Sequence, residues 1–333
     1  MRRMIRFSVL DLVPVVEGKS VREALANAAV FAAHAEQLGF HRYWVAEHHG
    51  MPGIASAATS VVLAHVGHAT STIRIGAGGI MLPNHAPLLI AEQFGTLAAL
   101  FPGRVDLGLG RAPGSDQRVA QAMRRTLAGG PDEFPRDVME LQAYFAGDSR
   151  LGFQATPGAG ETVPLWILGS SLYGAQLAAA LGLPYAFASH FAPGALEDAI
   201  AIYRRDFRPS AQLDRPYVMA GYNVFAADTA DEARLLATSM QQAFVRLRTG
   251  QPGKLQPPVP GYFESLPPGA QAMLSDVLSA TSIGSQAEVE RDMAAFIDRT
   301  GVDELIIGGQ VYDFDARKRS MEIAMAAAKA VAG

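Results

Sequence analysis

Cysteine is absent from the 333 residues, so the chain can form no disulfide, no thiolate metal site and no cysteine nucleophile. That fits a reducing compartment. A run of about 18 apolar residues, long enough to cross a membrane, is also missing. The basic start Met1-Arg2-Arg3-Met4-Ile5-Arg6 leads into an apolar stretch that stops at Asp11, too early for a secretory signal. Long basic tracts are lacking and the formal net charge is −4, which argues against a nucleic-acid partner. These absences together predict a soluble cytoplasmic protein that binds neither nucleic acid nor a membrane.

What the chain does have is 49% hydrophobic residues, enough for a large core, and a regular alternation of short β-rich runs with longer helical patterns. Strands are expected at Arg6–Leu10, Arg42–Ala46, Ile73–Met81, Arg104–Leu109, Leu165–Leu168, Tyr185–Ser189, Tyr217–Ala226 and Glu304–Ile307. Helical patterns follow them, from Val21–Leu38, ended by Gly39, to Ala316–Ala330. Many of the strands are continuous apolar runs, as strands covered on both faces should be. Eight strands each followed by a helix predict an α/β fold, a closed (β/α)8 TIM barrel spanning residues 1–333 as one domain. Long connections interrupt the rhythm at 111–132, after strand 4, and at 249–270, before the final βα unit. The second, rich in proline and glycine, reads as a lid over the rim. A domain linker is the alternative, but too little chain follows to build a second core.

Barrel chemistry sits at the carboxyl ends of the strands. Those ends carry Asp11, Glu47-His48-His49, Gly78-Gly79 with Asn84-His85 beyond, and Gly110-Arg111. Gly169-Ser170-Ser171, Ser189-His190, Asn223 and Gln310 complete the rim. Neighbouring strand residues point to opposite sides, so a regular strand turns only one of His48 and His49 inward. Zinc or iron would be the sharp use of four rim histidines. The lack of HxH, HExxH or a cysteine partner speaks against it, and no metal is expected.

Two glycine-rich pieces need separate readings. Gly108-Leu109-Gly110-Arg111-Ala112-Pro113-Gly114 imitates a dinucleotide fingerprint, but its last glycine comes one residue late and a proline stands where the helix should open. Bare backbone at this strand end would instead let a flat ligand lie close. Gly169-Ser170-Ser171-Leu172-Tyr173-Gly174 ends strand 5 and opens a helix. Its free first-turn amides and hydroxyls could cradle a phosphate, with Arg111 as a charged fork; a serine that merely caps the helix is the plain alternative.

Taken together, these stretches resemble the bacterial luciferase-like flavin-dependent monooxygenases. The likeness runs through 42–49, 75–83, Ala91-Glu92-Gln93, 101–111, Leu168–Ser171 to Pro184, and Ile283-Gly284-Ser285. It spans almost the whole chain and is weakest at 115–160 and 249–280. The resemblance implies that His48 supports flavin–oxygen chemistry and that Gly78-Gly79 form a non-proline cis bulge under the isoalloxazine ring. It places Gly110 and Arg111 beside ring and phosphate, and Leu168, Gly169, Ser170, Ser171 and Gly174 in the phosphate loop. Luciferase members carry an acid where Ser170 stands and a hydroxyl where Gly174 stands, a departure in the phosphate contacts. The implied activity is monooxygenation of a small organic substrate by O2 with reduced FMN from a separate flavin reductase, through a C4a-hydroperoxide, in a homodimer. Two rivals share the fold: hydride transfer with the deazaflavin F420, whose anionic tail calls for a basic rim that a net charge of −4 does not advertise, and silent flavin binding.

Overall fold

Strand alternation sorts the side chains of this protein into an outer core and a barrel interior. In the computed structural model, which describes residues 5–112 and 133–332, the sheet is parallel throughout. Its strands are β1 (Arg6–Asp11), β2 (Arg42–Val45), β3 (Arg74–Met81), β4 (Val105–Gly110), β5 (Leu165–Gly169), β6 (Tyr185–Phe187), β7 (Val218–Ala226), β8 (Thr281–Gly284) and β9 (Glu304–Gly308). Each pairs with the next up to β7, and β9 joins β7 to β1, closing an eight-stranded barrel. The expected (β/α)8 barrel is the observed fold.

One strand was not foreseen. Asn223 of β7 pairs with both Thr281 and Gly308, so β8 and β9 take opposite edges, and β8 continues the edge that short β6 leaves. The stretch expected as an unbroken loop at 249–270 also holds a one-turn helix, Tyr262–Ser265, and the start of another, Pro268–Val277. The connection after β4 falls largely outside the described residues.

Helices cover the barrel: α1 (Val21–Leu38), α2 (Thr59–His68), α3 (Pro87–Leu100), α4 (Phe134–Ala146), α5 (Leu172–Leu181), α6 (Leu196–Asp206), α7 (Ala230–Arg248), α8 (Tyr262–Ser265), α9 (Pro268–Val277), α10 (Gln286–Thr300) and α11 (Phe314–Ala332). Ser20 and Glu23 open α1 with a capping box, and Gly39 ends it in the left-handed region at φ 93°. Ser285 and Glu288 repeat the box on α10, which explains the Ile283-Gly284-Ser285 stretch. Outward residues such as Tyr43, Ile75 and Leu107 pack with Phe31, Leu63 and Phe94 of the helices in the main core.

Asp11 is a correction to the reading of the rim. It faces outward, fully buried, where Arg317 Nη2 of α11 donates to its Oδ1 at 2.7 Å and Tyr43 hydroxyl donates to Oδ2. Asp11 Oδ1 also accepts the amide of Val13 at 2.7 Å, a β-branched residue held at φ 50°. Its role is to join β1, β2 and α11.

Inside the barrel, charge fills the amino-terminal end. Arg42 donates to Asp106 at 2.6 Å and to Glu304 at 2.9 Å, Arg74 donates to Asp106 at 2.6 Å, and Tyr217 hydroxyl donates to Glu304 at 2.8 Å. Above this layer Leu10, Trp44, Trp166, Met219 and Ile306 form an apolar floor, with Trp44 and Trp166 edge to face at 5.2 Å. Gly76 makes room for it: a Cβ there would stand 2.6 Å from Trp44 Nε1. The carboxyl end above the floor is open.

Candidate active site

Over the floor lies a cavity of about 1120 Å³. Its wall holds every candidate site residue named from the sequence: His48, Gly78, Gly79, Gly110, Arg111, Leu168, Gly169, Ser170, Ser171 and Gly174. Strand periodicity brings His48 there. Arg42 and Trp44 point inward along β2, and Ala46 and His48 continue that face beyond the strand.

His49 goes the other way. Its Nε2 donates to Glu47 Oε1 at 2.6 Å, and His85 Nε2 donates to the same oxygen at 2.8 Å. Glu47 Oε2 accepts the Met81 amide at 2.9 Å, and the Glu47 amide donates to Gly79 carbonyl at 3.1 Å. This buried carboxylate therefore braces β2 against the end of β3. Glu47, His49 and His85 also bring three metal-capable atoms within 4.8 Å of one another, a grouping not read from the sequence because Glu47 was not counted among possible ligands. Its hydrogen bonds account for the arrangement.

The Gly78–Gly79 peptide bond is cis, and the β3–β4 register shifts between Ala77 and Ile80. Both features match what the resemblance implied. Across the barrel from His48, after β6, stands His190, which sequence reading placed on the rim without a role. Gly221 lets it pack flat, since a Cβ there would fall 2.1 Å from His190 Nδ1. Asn223 Nδ2 fixes its backbone by donating to the His190 carbonyl at 2.7 Å. Burial pushes both imidazoles below their ordinary values, His190 to about 4 with help from His48, and His48 despite the pull of Glu47. Both are neutral near pH 7.

At the end of β5, Ser171 occupies the cap position of α5 but its side chain accepts no helix amide. Ser171 therefore does not act as a side-chain cap, and Ser170, Ser171 and Gly174 line the cavity at this helix start. Arg111 lies over the Tyr173 ring at 4.0 Å, beside this loop. Sequence reasoning assigns Tyr173 no role; its place in the first turn of α5 is the one signal that could have found it. A further correction concerns charge. Arg111, Arg246, Arg248 and Lys254 all line the cavity, and none of its described residues is acidic. Net charge averages over the surface and conceals a local basic rim.

The sequence profile of the luciferase-like monooxygenases matches residues 5–304. The chain belongs to that family. It is 52% identical over 324 residues to a luciferase-like monooxygenase of Escherichia coli K12, covering 97% of each chain. With the N-acetyl-S-alkylcysteine monooxygenase of Bacillus subtilis it shares 33% identity over 256 residues, 74% of this chain and 75% of that one. The crystal structure of apo-MsnO8 superposes with a TM-score of 0.88 at 32% identity, covering 98% of both chains. No helix among the described residues is long and apolar enough to cross a membrane.

Proposed function

We propose that this family member is a monooxygenase that uses reduced FMN, supplied by a separate flavin reductase, and O2 to oxygenate a small organic substrate. The observation that carries the reading is the single cavity that gathers all ten sequence-assigned residues, with an uncapped helix start at one end and His48 over an apolar floor. The residues fit the cofactor. Free amides of α5, Ser170, Ser171 and the Arg111 fork would hold the phosphate, and the backbone of Gly78-Gly79 and Gly110 would lie against the ring.

When bound, reduced flavin supplies the two electrons that let one oxygen atom of O2 enter the substrate while the other leaves as water. The protein's part is to orient and to exclude water. Neutral His48 can donate a hydrogen bond or move a proton where oxygen reacts. Trp44, Met219 and Ile306 keep the reaction space dry. That a relative is an N-acetyl-S-alkylcysteine monooxygenase supports a small organic substrate.

The basic rim favours one second reading, a deazaflavin cofactor with an anionic tail. Anaerobic titration with reduced FMN and with reduced F420, followed by an oxygen pulse, separates the two. Preferential FMN binding with rapid reoxidation is expected. Tight deazaflavin binding with no reaction toward oxygen would replace the proposal.

A further inference from the structure

The cavity has a second cationic pole, away from the proposed phosphate loop. Arg246, in the last turn of α7, and Lys254, in the segment that follows, are half-buried and line the wall. The Arg246 guanidinium lies flat on Gly253. A Cβ built there would stand 3.2 Å from Nη2, 3.4 Å from Cζ and 3.7 Å from Nη1. Lys254 Nζ donates to the Lys19 carbonyl at 2.8 Å and keeps further protons to give.

Among the described residues neither cation has a carboxylate partner, whereas of the buried arginines elsewhere Arg42 holds two and Arg317 one. A cation in a last helical turn also answers the helix dipole, but exposed Arg248 does so in the same turn. That role does not explain a fork seated on bare backbone at a cavity wall free of acidic residues. Around the closed barrel β5 stands opposite β1. The proposed phosphate loop ends β5, and Lys254 reaches the loop after β1, so the two poles face each other across the floor.

We infer that Arg246 and Lys254 bind a carboxylate of the organic substrate, which makes the substrates amphipathic acids whose apolar part lies over Trp44, Met219 and Ile306. The inference rests on the flavin reading for the cofactor's place, which leaves the β1 side to the substrate.

Of the two tryptophans of the chain, Trp44 lines the cavity and Trp166 packs edge to face against it at 5.2 Å, so tryptophan fluorescence reports occupancy without any flavin. Octanoate is titrated against octanamide, its neutral isostere. Octanoate should bind roughly 10- to 100-fold more tightly, the worth of charge-assisted hydrogen bonds. The preference should vanish in Arg246→Gln/Lys254→Gln, persist in Arg111→Gln, and leave reduced-FMN affinity of the double variant unchanged, which also shows that it is folded. Equal binding of acid and amide, binding of neither, or a preference that survives the double variant overturns the assignment. Loss of preference in Arg111→Gln instead would move the carboxylate into the phosphate cradle and overturn it too. If the double variant weakens only F420, the pole serves a cofactor tail. Octanoate preference without FMN binding would keep this subsite and sink the flavin reading.

Discussion

His49 Nε2 lies 2.6 Å from Glu47 Oε1, which commits His49 to the barrel wall and leaves His48 as the histidine of this pair in the cavity. The two substitutions should therefore fail differently. His48→Ala should bind reduced FMN within a few fold of the parent, yet lose roughly 10²–10⁴ in product formation and release hydrogen peroxide instead. His49→Ala should keep coupling but lose on the order of 1–3 kcal/mol of stability, because Glu47 stays buried with one partner fewer. Peroxide release and chemical denaturation measure both; uncoupling confined to His49→Ala would transfer the role to that residue.

A phosphate held by free amides and a charged fork should be felt as selectivity. Reduced FMN should bind more tightly than reduced riboflavin by on the order of 2–4 kcal/mol. Arg111→Ala and Ser171→Ala should narrow that gap, Arg111→Ala the more because it also releases Tyr173. Anaerobic fluorescence titration reads the difference, and equal affinities in the parent would remove the phosphate assignment.

Much of this was legible in the sequence, for identifiable reasons. Alternation alone limits His48 and His49 to one inward residue; which of them it is shows only in the structure, where Arg42, Trp44 and Ala46 run inward and His48 lines the cavity. The strand ends were readable because a barrel puts chemistry there. What escaped depends on contacts between distant segments. Asp11 looks like a rim acid until Arg317 is brought to it from 306 residues away. The basic rim arises because the segment after α7 returns to the loop that follows β1, where Leu255 bridges Val16. β8 is only four residues and exists because β6 is too short to cover β7.

The charged layer at the amino-terminal end of the barrel should matter for stability more than any surface pair. Glu304 is fully buried and accepts from Arg42, Ser8 and Tyr217. Glu304→Gln turns one acceptor into a donor and leaves Arg42 with Asp106 alone. A loss on the order of 3–5 kcal/mol is expected in urea denaturation. Arg319→Gln, which breaks the exposed pair with Asp228, should cost about 0–1 kcal/mol. Similar losses for the two would mean that the buried network contributes nothing special.

The segment 249–261 is proposed as a closing element. It is tied to the rim through Leu255, whose carbonyl accepts the Glu17 amide at 2.8 Å and whose amide donates to the Val15 carbonyl at 3.0 Å. Gly250 and Gly261, at φ 72° and 66°, can turn the chain at its two ends. Limited proteolysis should cut here before the barrel, and reduced FMN should slow the cut. A cleavage rate indifferent to flavin would make it an ordinary surface loop.

Acid should weaken the fold in a window set by buried histidines. Burial holds His190 down to about 4, assisted by His48, and holds His41 down to about 4, assisted by Arg42. An unfolded imidazole titrates near ~6.5. Between these values the unfolded chain binds more protons than the native one, so stability falls as pH drops from 6.5 toward 4 and gains no further loss from these two groups below that. His190→Gln stays neutral throughout and should flatten the slope of stability against pH in that window, while leaving it unchanged above 7 relative to its own plateau. His48 is also held below its ordinary value, so product formation should survive to a pH lower than free imidazole would allow. Urea midpoints and turnover measured across the same buffers test the two statements separately. An unaltered slope in His190→Gln would show that the ring is protonated in the native state, and a turnover profile falling at or above 6.5 would show the same of His48.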